Sequence, residues 1–205
     1  VGANALLECT GSQNVGVGAS ALTANTTGGY NVAVGYEALD VNTTASHNAA
    51  VGQSALGGNT TGENNTAFGS SALRNNTTAD NNTAVGKNAL LANTTGSNNT
   101  AVGAYALDAN TTGAENHAFG RNALTANTTG NGNIAMGYNA MGANTTAGAG
   151  VALGYNAMGA NTEGTGTAVG AYALDAQTIG KNNNAFGNNA LTANTTGSNN
   201  TAVGH

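Results

Sequence analysis

The sequence predicts an all-β fold, a parallel β-solenoid (β-roll) of about 12 coils with a 17-residue repeat. Three observations carry this. A glycine recurs as Gly2, Gly18, Gly35, Gly52, Gly69, Gly86, Gly103, Gly120, Gly137, Gly154, Gly170, Gly187 and Gly204, spaced by 17 in ten cases and by 16 in two (Gly2 to Gly18, Gly154 to Gly170). A fixed short period is the mark of an architecture in which each repeat contacts chiefly its neighbours. Apolar and small residues sit at constant phase to that glycine, and proline, which removes a backbone donor, is absent from all 205 residues. Residues 1–205 therefore read as one solenoid domain with no room for a second.

Positions are numbered here from the anchor glycine. Position −1 is bulky and apolar in every coil: Val17, Val34, Val51, Phe68, Val85, Val102, Phe119, Met136, Leu153, Val169, Phe186 and Val203. Position +4 is always Leu or Met, from Leu6 through Met141 and Met158 to Leu191. Two further positions are small: Ala at −2 (Gly16 once) and Ala at +3 without exception. The expected structural core is therefore Val34, Gly35 and Leu39 in one coil, and Val102, Gly103, Ala106 and Leu107 in another. An amphipathic helix does not fit, because glycine at every turn costs about 1 kcal/mol relative to alanine. Two short strands per coil are expected instead, Asn-Thr-Ala-Val and Ala-Leu, separated by a Gly-x-x bend.

The remainder of the coil, Ala-Asn-Thr-Thr-Gly and the Asn-rich residues after it, carries turn chemistry. Asn-Thr-Thr recurs at one phase, at Asn25, Asn42, Asn59, Asn76, Asn93, Asn110, Asn127, Asn144 and Asn194, and each is formally an N-glycosylation acceptor. The competing reading is a plain turn, favoured by Asn161-Thr162-Glu163 and Gln177-Thr178-Ile179, which break the acceptor motif and keep the turn. A second asparagine row lies at −4 (Asn14, Asn31, Asn48, Asn65, Asn82, Asn99, Asn116, Asn133, Asn183, Asn200). Stacking would set these amides about 4.8 Å apart, where side-chain ladders form. Both 16-residue coils are expected to lose their residue in this part of the coil, sparing the strand register. The single Cys9 stands where other coils carry Asn and reads as a tolerated substitution.

Composition excludes several functions. A net charge of −5 with only Arg74, Lys87, Arg121 and Lys181 as basic residues gives no footprint for nucleic acid or an anionic membrane. No run reaches the ~18 apolar residues of a membrane span. His47, His117 and His205 fall at different phases and the acids are scattered, so neither an enzyme nor a metal or cofactor site is expected. Gly16-Val17-Gly18-Ala19-Ser20-Ala21 mimics a dinucleotide-binding turn, but its counterparts read Ala-Val-Gly-x-x-Ala and no helix follows. The chain begins at Val1-Gly2 and ends at Val203-Gly204-His205, inside repeats, which suggests a segment or subunit of a longer fibre.

Two large side chains and two alanines per coil bury too little apolar surface to offset the ordering of seventeen residues, so self-association is expected, laterally, end to end, or both. The tyrosines Tyr36, Tyr138 and Tyr155 at +1, with Tyr105 and Tyr172 at +2, read as packing at an interface in preference to a sugar platform.

Asn99-Thr100-Ala101-Val102-Gly103 with Ala106 resembles the head repeats of YadA-like trimeric autotransporter adhesins. Ala33-Val34-Gly35-Tyr36-Glu37-Ala38-Leu39 is similar to the Asn-Thr-Ala-Val-Gly arrays of phage tail fibres and other bacterial surface proteins. The present coil is longer than the adhesin repeat, in its Asn-Thr-Thr loop. The resemblance covers essentially the whole chain and implies a left-handed roll, commonly trimeric, serving outside the cell or on a virion as a stiff spacer or adhesive element. The function expected is a structural subunit or shaft of an extracellular fibre whose partner is itself, as a trimer or a head-to-tail filament. An adhesin segment recognising a surface glycan or host receptor is the first alternative. An ice-binding solenoid is the second, weakened because adjacent threonines in an extended chain point to opposite faces.

Overall fold

The computed structural model describes residues 2–205. They form one twelve-stranded parallel sheet in strict chain order. The strands are β1 (Val15–Val17), β2 (Val32–Val34), β3 (Ala49–Val51), β4 (Thr66–Phe68), β5 (Thr83–Val85), β6 (Thr100–Val102), β7 (His117–Phe119), β8 (Ile134–Met136), β9 (Val151–Leu153), β10 (Gly166–Val169), β11 (Asn183–Phe186) and β12 (Thr201–Val203). Each pairs with the equivalent residues of its neighbours, as Thr83↔Thr100, Ala84↔Ala101 and Val85↔Val102 do. The short coil keeps this register, since Val151 still faces Thr167 and Leu153 faces Val169. The chain is thus a parallel β-solenoid, as its period predicts.

Each coil contains one strand, not two. The Ala-Leu segment is a turn in which Leu39, Leu107 and their equivalents take left-handed angles, with φ of 50° and 52° at those two residues. Adjacent side chains of an extended strand point to opposite faces. Ala106 and Leu107 are both fully buried, so the backbone between them cannot be extended. A left-handed leucine is costly, of order 1–3 kcal/mol. It is held by the burial of its side chain and by its N–H, which donates to the alanine carbonyl one coil on, as Leu107 does to Ala123 at 3.0 Å. Position +2 is left-handed as well, for example Tyr105 at φ 62°.

The strands also correct the expected core. Alanine at −2 faces inward and is fully buried in β2 through β11, so strand alternation turns −1 outward. Val34 and Val102 are therefore half-exposed members of the outer face, and other residues of the row are more exposed, Phe68 at 46% and Met136 at 49%. Leu39, Ala106 and Leu107 are fully buried, while Gly35 and Gly103 are half-exposed at the stacked corner. The anchor glycine has φ near +135°, and a Cβ on Gly103 would stand 2.5 Å from the carbonyl carbon of Gly120. Backbone is stacked on backbone at that corner, and only glycine fits.

The interior is thus alanine from the strand, Ala-Leu from the turn, and two asparagine columns. Two coils depart from this together. Met141 and Met158 replace leucine in the coils whose −4 asparagine is replaced by Gly150 and Gly166. A Cβ on Gly150 would meet the Met141 Cε at 2.6 Å, so the longer thioether occupies space that asparagine takes elsewhere.

Candidate functional site

The first surface to test is the Asn-Thr-Thr loop. Its asparagines face inward. Asn25, Asn42, Asn59, Asn76, Asn93, Asn110, Asn127 and Asn144 are fully buried, which overturns their reading as glycan acceptors on the folded solenoid. Both hydrogens of each amide are engaged. Asn110 Nδ2 donates to Asn93 Oδ1 at 2.9 Å and to the Gly113 carbonyl at 2.9 Å, while its Oδ1 accepts from Asn127 Nδ2 at 2.9 Å. Asn194, in the last coil, is half-exposed, and its Nδ2 bonds the Gly197 carbonyl at 3.0 Å. Cys9 opens this column and accepts from Asn25 Nδ2 at 3.1 Å.

The −4 asparagines form the ladder that their spacing predicts. Asn99 Oδ1 accepts the backbone N–H of Asn116 at 3.0 Å, and its Nδ2 donates to the Gly113 carbonyl at 2.8 Å. The corner carbonyl at +10 therefore receives an amide from each column. The loop column uses a primary amide in full, two donors and an acceptor on one planar head, whereas a −4 asparagine such as Asn99 donates one bond, and Asn82 Nδ2 has no partner.

In the Thr-Thr pairs from Thr43-Thr44 to Thr145-Thr146 the first residue is partly buried and the second exposed. The hydroxyl of Thr111 donates to the Thr128 carbonyl at 3.1 Å, and this bond repeats along the stack. Thr112 and its equivalents make a single outward row. The two short coils each omit an outward position on this side, so the strand register is kept, while the −4 ladder is broken where Gly150 and Gly166 replace asparagine.

A notch of about 210 Å³ opens where Glu37, Asp40, Ser54, Gly57 and Arg74 meet. Burial, followed by the adjacent Glu37 carboxylate, pushes the Asp40 pKa up, and Arg74 opposes this weakly. A hydrogen bond with Glu37 raises the Tyr36 hydroxyl. Gly142 and Gly159 stand at the same +5 position, but there Asn139 and Asn156 fill the gap, and Asn156 Nδ2 bonds Asp175.

The tyrosines gather on the opposite side of the anchor corner from the strand. Tyr138 and Tyr155 stack at 5.2 Å, Tyr172 tilts against Tyr155 at 5.3 Å, and Arg121 lies 5.9 Å from the Tyr138 ring centre. Stacking along the solenoid axis turns ring faces toward each other and ring edges to solvent, which is packing geometry. Tyr36 and Tyr105 lie in other coils, apart from this group. Tyr30 and His47, which the sequence reading did not pair, stack at 5.0 Å.

The remaining surface is the outer face of the sheet, whose −1 row sequence reasoning placed in the core. It presents positions −3 and −1 of all twelve strands and carries none of the thirteen charged residues. Among the described residues no group of three or more His, Cys, Asp or Glu could hold a metal, and no helix is long and apolar enough to cross a membrane. No family model matches the chain, and neither a curated protein nor a solved structure does.

Proposed function

We propose that the chain is a structural rod, a shaft unit of an extracellular or surface fibre that assembles with copies of itself. The observation supporting this reading is the unbroken in-register column of strands, reinforced by two internal amide ladders and a threonine hydroxyl ladder. Such a stack transmits load along its axis through hydrogen bonds at every coil, and at strand spacing twelve strands span about 53 Å. The surface placement follows from the resemblance to adhesin and tail-fibre repeats. Negative-stain imaging and small-angle scattering of the purified protein test the proposal. Rods or filaments of uniform width support it, and a compact or flexible scattering profile refutes it.

An adhesin is the second reading, favoured by the Glu37, Asp40 and Arg74 notch, which could hydrogen-bond sugar hydroxyls on both of its walls. Binding on a glycan array that Asp40→Ala abolishes would support it. Ice binding has less behind it, because the first loop threonine spends its hydroxyl on the stack, as Thr111 does, and the outward row beside it is broken at Glu163 and Ile179. Absence of thermal hysteresis retires it.

A further inference from the structure

We infer that the outer face of the sheet is a homodimer interface, on which a second copy packs face to face with its coils parallel to the first. The inference deepens the fibre reading by naming the surface through which copies meet, and it begins from a comparison of rows within the chain. Exposed positions elsewhere vary freely in polarity: +1 runs Ala19, Tyr36, Gln53, Ser70, Lys87, Ala104, Arg121. Position −1 is exposed or half-exposed in all twelve coils and is never polar in any of them. Solvent places no such demand on a side chain, whereas a dry contact does.

Area and shape identify the occupant. The face is about 53 Å long, and two outward side chains per strand make it about 11 Å wide, or about 600 Å² per copy. Two copies would bury about 1,200 Å², the lower bound of a stable specific interface. Its relief repeats every ~4.8 Å, a pitch matched by another face of the same kind. The absence of charge from the face leaves nothing to orient a charged partner.

Orientation follows from residue sizes. The three phenylalanines at −1 share their strands with polar residues at −3: Phe68 with Thr66, Phe119 with His117, Phe186 with Asn184. A two-fold axis along the stack lays −1 of each coil over −3 of the same coil in the partner. Each phenylalanine then opposes a polar residue smaller than itself and no two phenylalanines meet, which suits sheets about 10 Å apart. The alternative two-fold axis, along the strands, would set bulky rows against bulky rows and splay the other edge.

Light scattering on the full chain tests the inference. The wild type is expected to be a dimer whose dissociation constant changes less than about threefold between ~50 and ~500 mM salt, since no ion pair crosses the interface. Val85→Lys with Val102→Lys is expected to give a folded monomer, and Thr95→Lys with Thr112→Lys on the far side is expected to remain dimeric. If the lysine variant fails to fold, Val85→Thr with Val102→Thr, of like shape, is expected to weaken the dimer at least tenfold. A wild-type monomer or trimer, a salt-sensitive dimer, or a folded lysine variant that stays dimeric overturns the inference. The fibre reading fails separately, on the rod shape of the particle, whatever its stoichiometry.

Discussion

Replacing Asn110 probes the proposition that buried amides, more than apolar packing, hold the coils in register. Asn110→Ala removes two donated bonds and one accepted bond, all near 2.9 Å. The Gly113 carbonyl keeps its partner in Asn99, and Asn127 Nδ2 keeps the Gly130 carbonyl. Asn93 Oδ1 and one hydrogen of Asn127 are left unpaired in a dry interior. At about 1 kcal/mol net for each lost bond, with a further penalty for the orphaned groups, the expected loss is about 3–5 kcal/mol. Asn110→Asp keeps the shape but points a carboxylate at two acceptors, Asn93 Oδ1 and the Gly113 carbonyl. Burial and these acceptors raise the folded-state pKa of that aspartate above its unfolded value of about 3.9. The sign follows: the protonated acid, which can donate one bond, is favoured in the fold. The Asp variant is therefore most stable below about pH 4 and loses stability as pH rises through the raised value. Urea unfolding of wild type, Asn110→Ala and Asn110→Asp at pH 4 and pH 7, followed by circular dichroism, measures both effects. A loss under about 1 kcal/mol for alanine, or an Asp variant no weaker at pH 7 than at pH 4 relative to wild type, would refute the ladder as the source of stability.

Three other substitutions address neighbouring features. Gly103→Ala sets a Cβ 2.5 Å from Gly120 backbone at φ +140°, so a drop in melting temperature of several degrees is expected, larger than for Ala104→Ser beside it. Gly150→Asn is expected to destabilise alone and to be rescued by Met141→Leu; a double-mutant cycle should give a favourable coupling of about 0.5–3 kcal/mol, and additivity would show that the two sites are independent. Asp40, whose pKa is raised by burial and then by Glu37, favours the fold when protonated and opposes it as pH climbs through its raised value. Asp40→Asn should thus stabilise the protein at pH 7, with no gain at pH 3, in thermal melts at the two pH values.

The period, the strand register and the −4 ladder were legible because each depends on spacing alone. The polarity of the coil was not. Val102 looks like core to any reading that equates apolar with buried, but Ala101 beside it is the inward residue, and strand alternation admits only one of the two. Asn110 looks like a surface turn because Asn-Thr-Thr serves turns and glycan acceptors equally well. The discriminating signal was present in the departures. Where the motif breaks, Gln177 keeps a primary amide at the asparagine position, whereas Glu163 and Ile179 replace the second threonine. The first position must donate two bonds, and the second need only be tolerated by solvent. The pairing of Met141 with Gly150 could likewise have been read as a volume exchange, had the two positions been known to meet inside the coil.

The two faces of the strand divide the requirements of assembly between two kinds of force. Inside, directional bonds repeat along the loop column and, outside the Gly150 and Gly166 coils, along the −4 column, so a slip by one residue would unpair them together; the ladders fix register and give the stack its order. Outside, the −1 row accepts Val, Phe, Met or Leu, because non-directional burial asks only for apolar surface at a constant height. Deletions reach the chain only where neither force acts, on the outward side of the threonine loop. A solenoid built this way can vary its loops and its coil number without disturbing either its axis or the face through which copies meet. The adhesin reading differs in its physical demand: a ligand site must be built where successive coils differ, and Asp40, Gly57 and Arg74 at the variable position +5, with Glu37, line such a place. Resetting those four residues to repeat-like Ser, Thr, Thr and Thr should leave rod shape and dimerisation intact while removing any glycan binding, and a rod that fails to form after that change would show that the notch is structural.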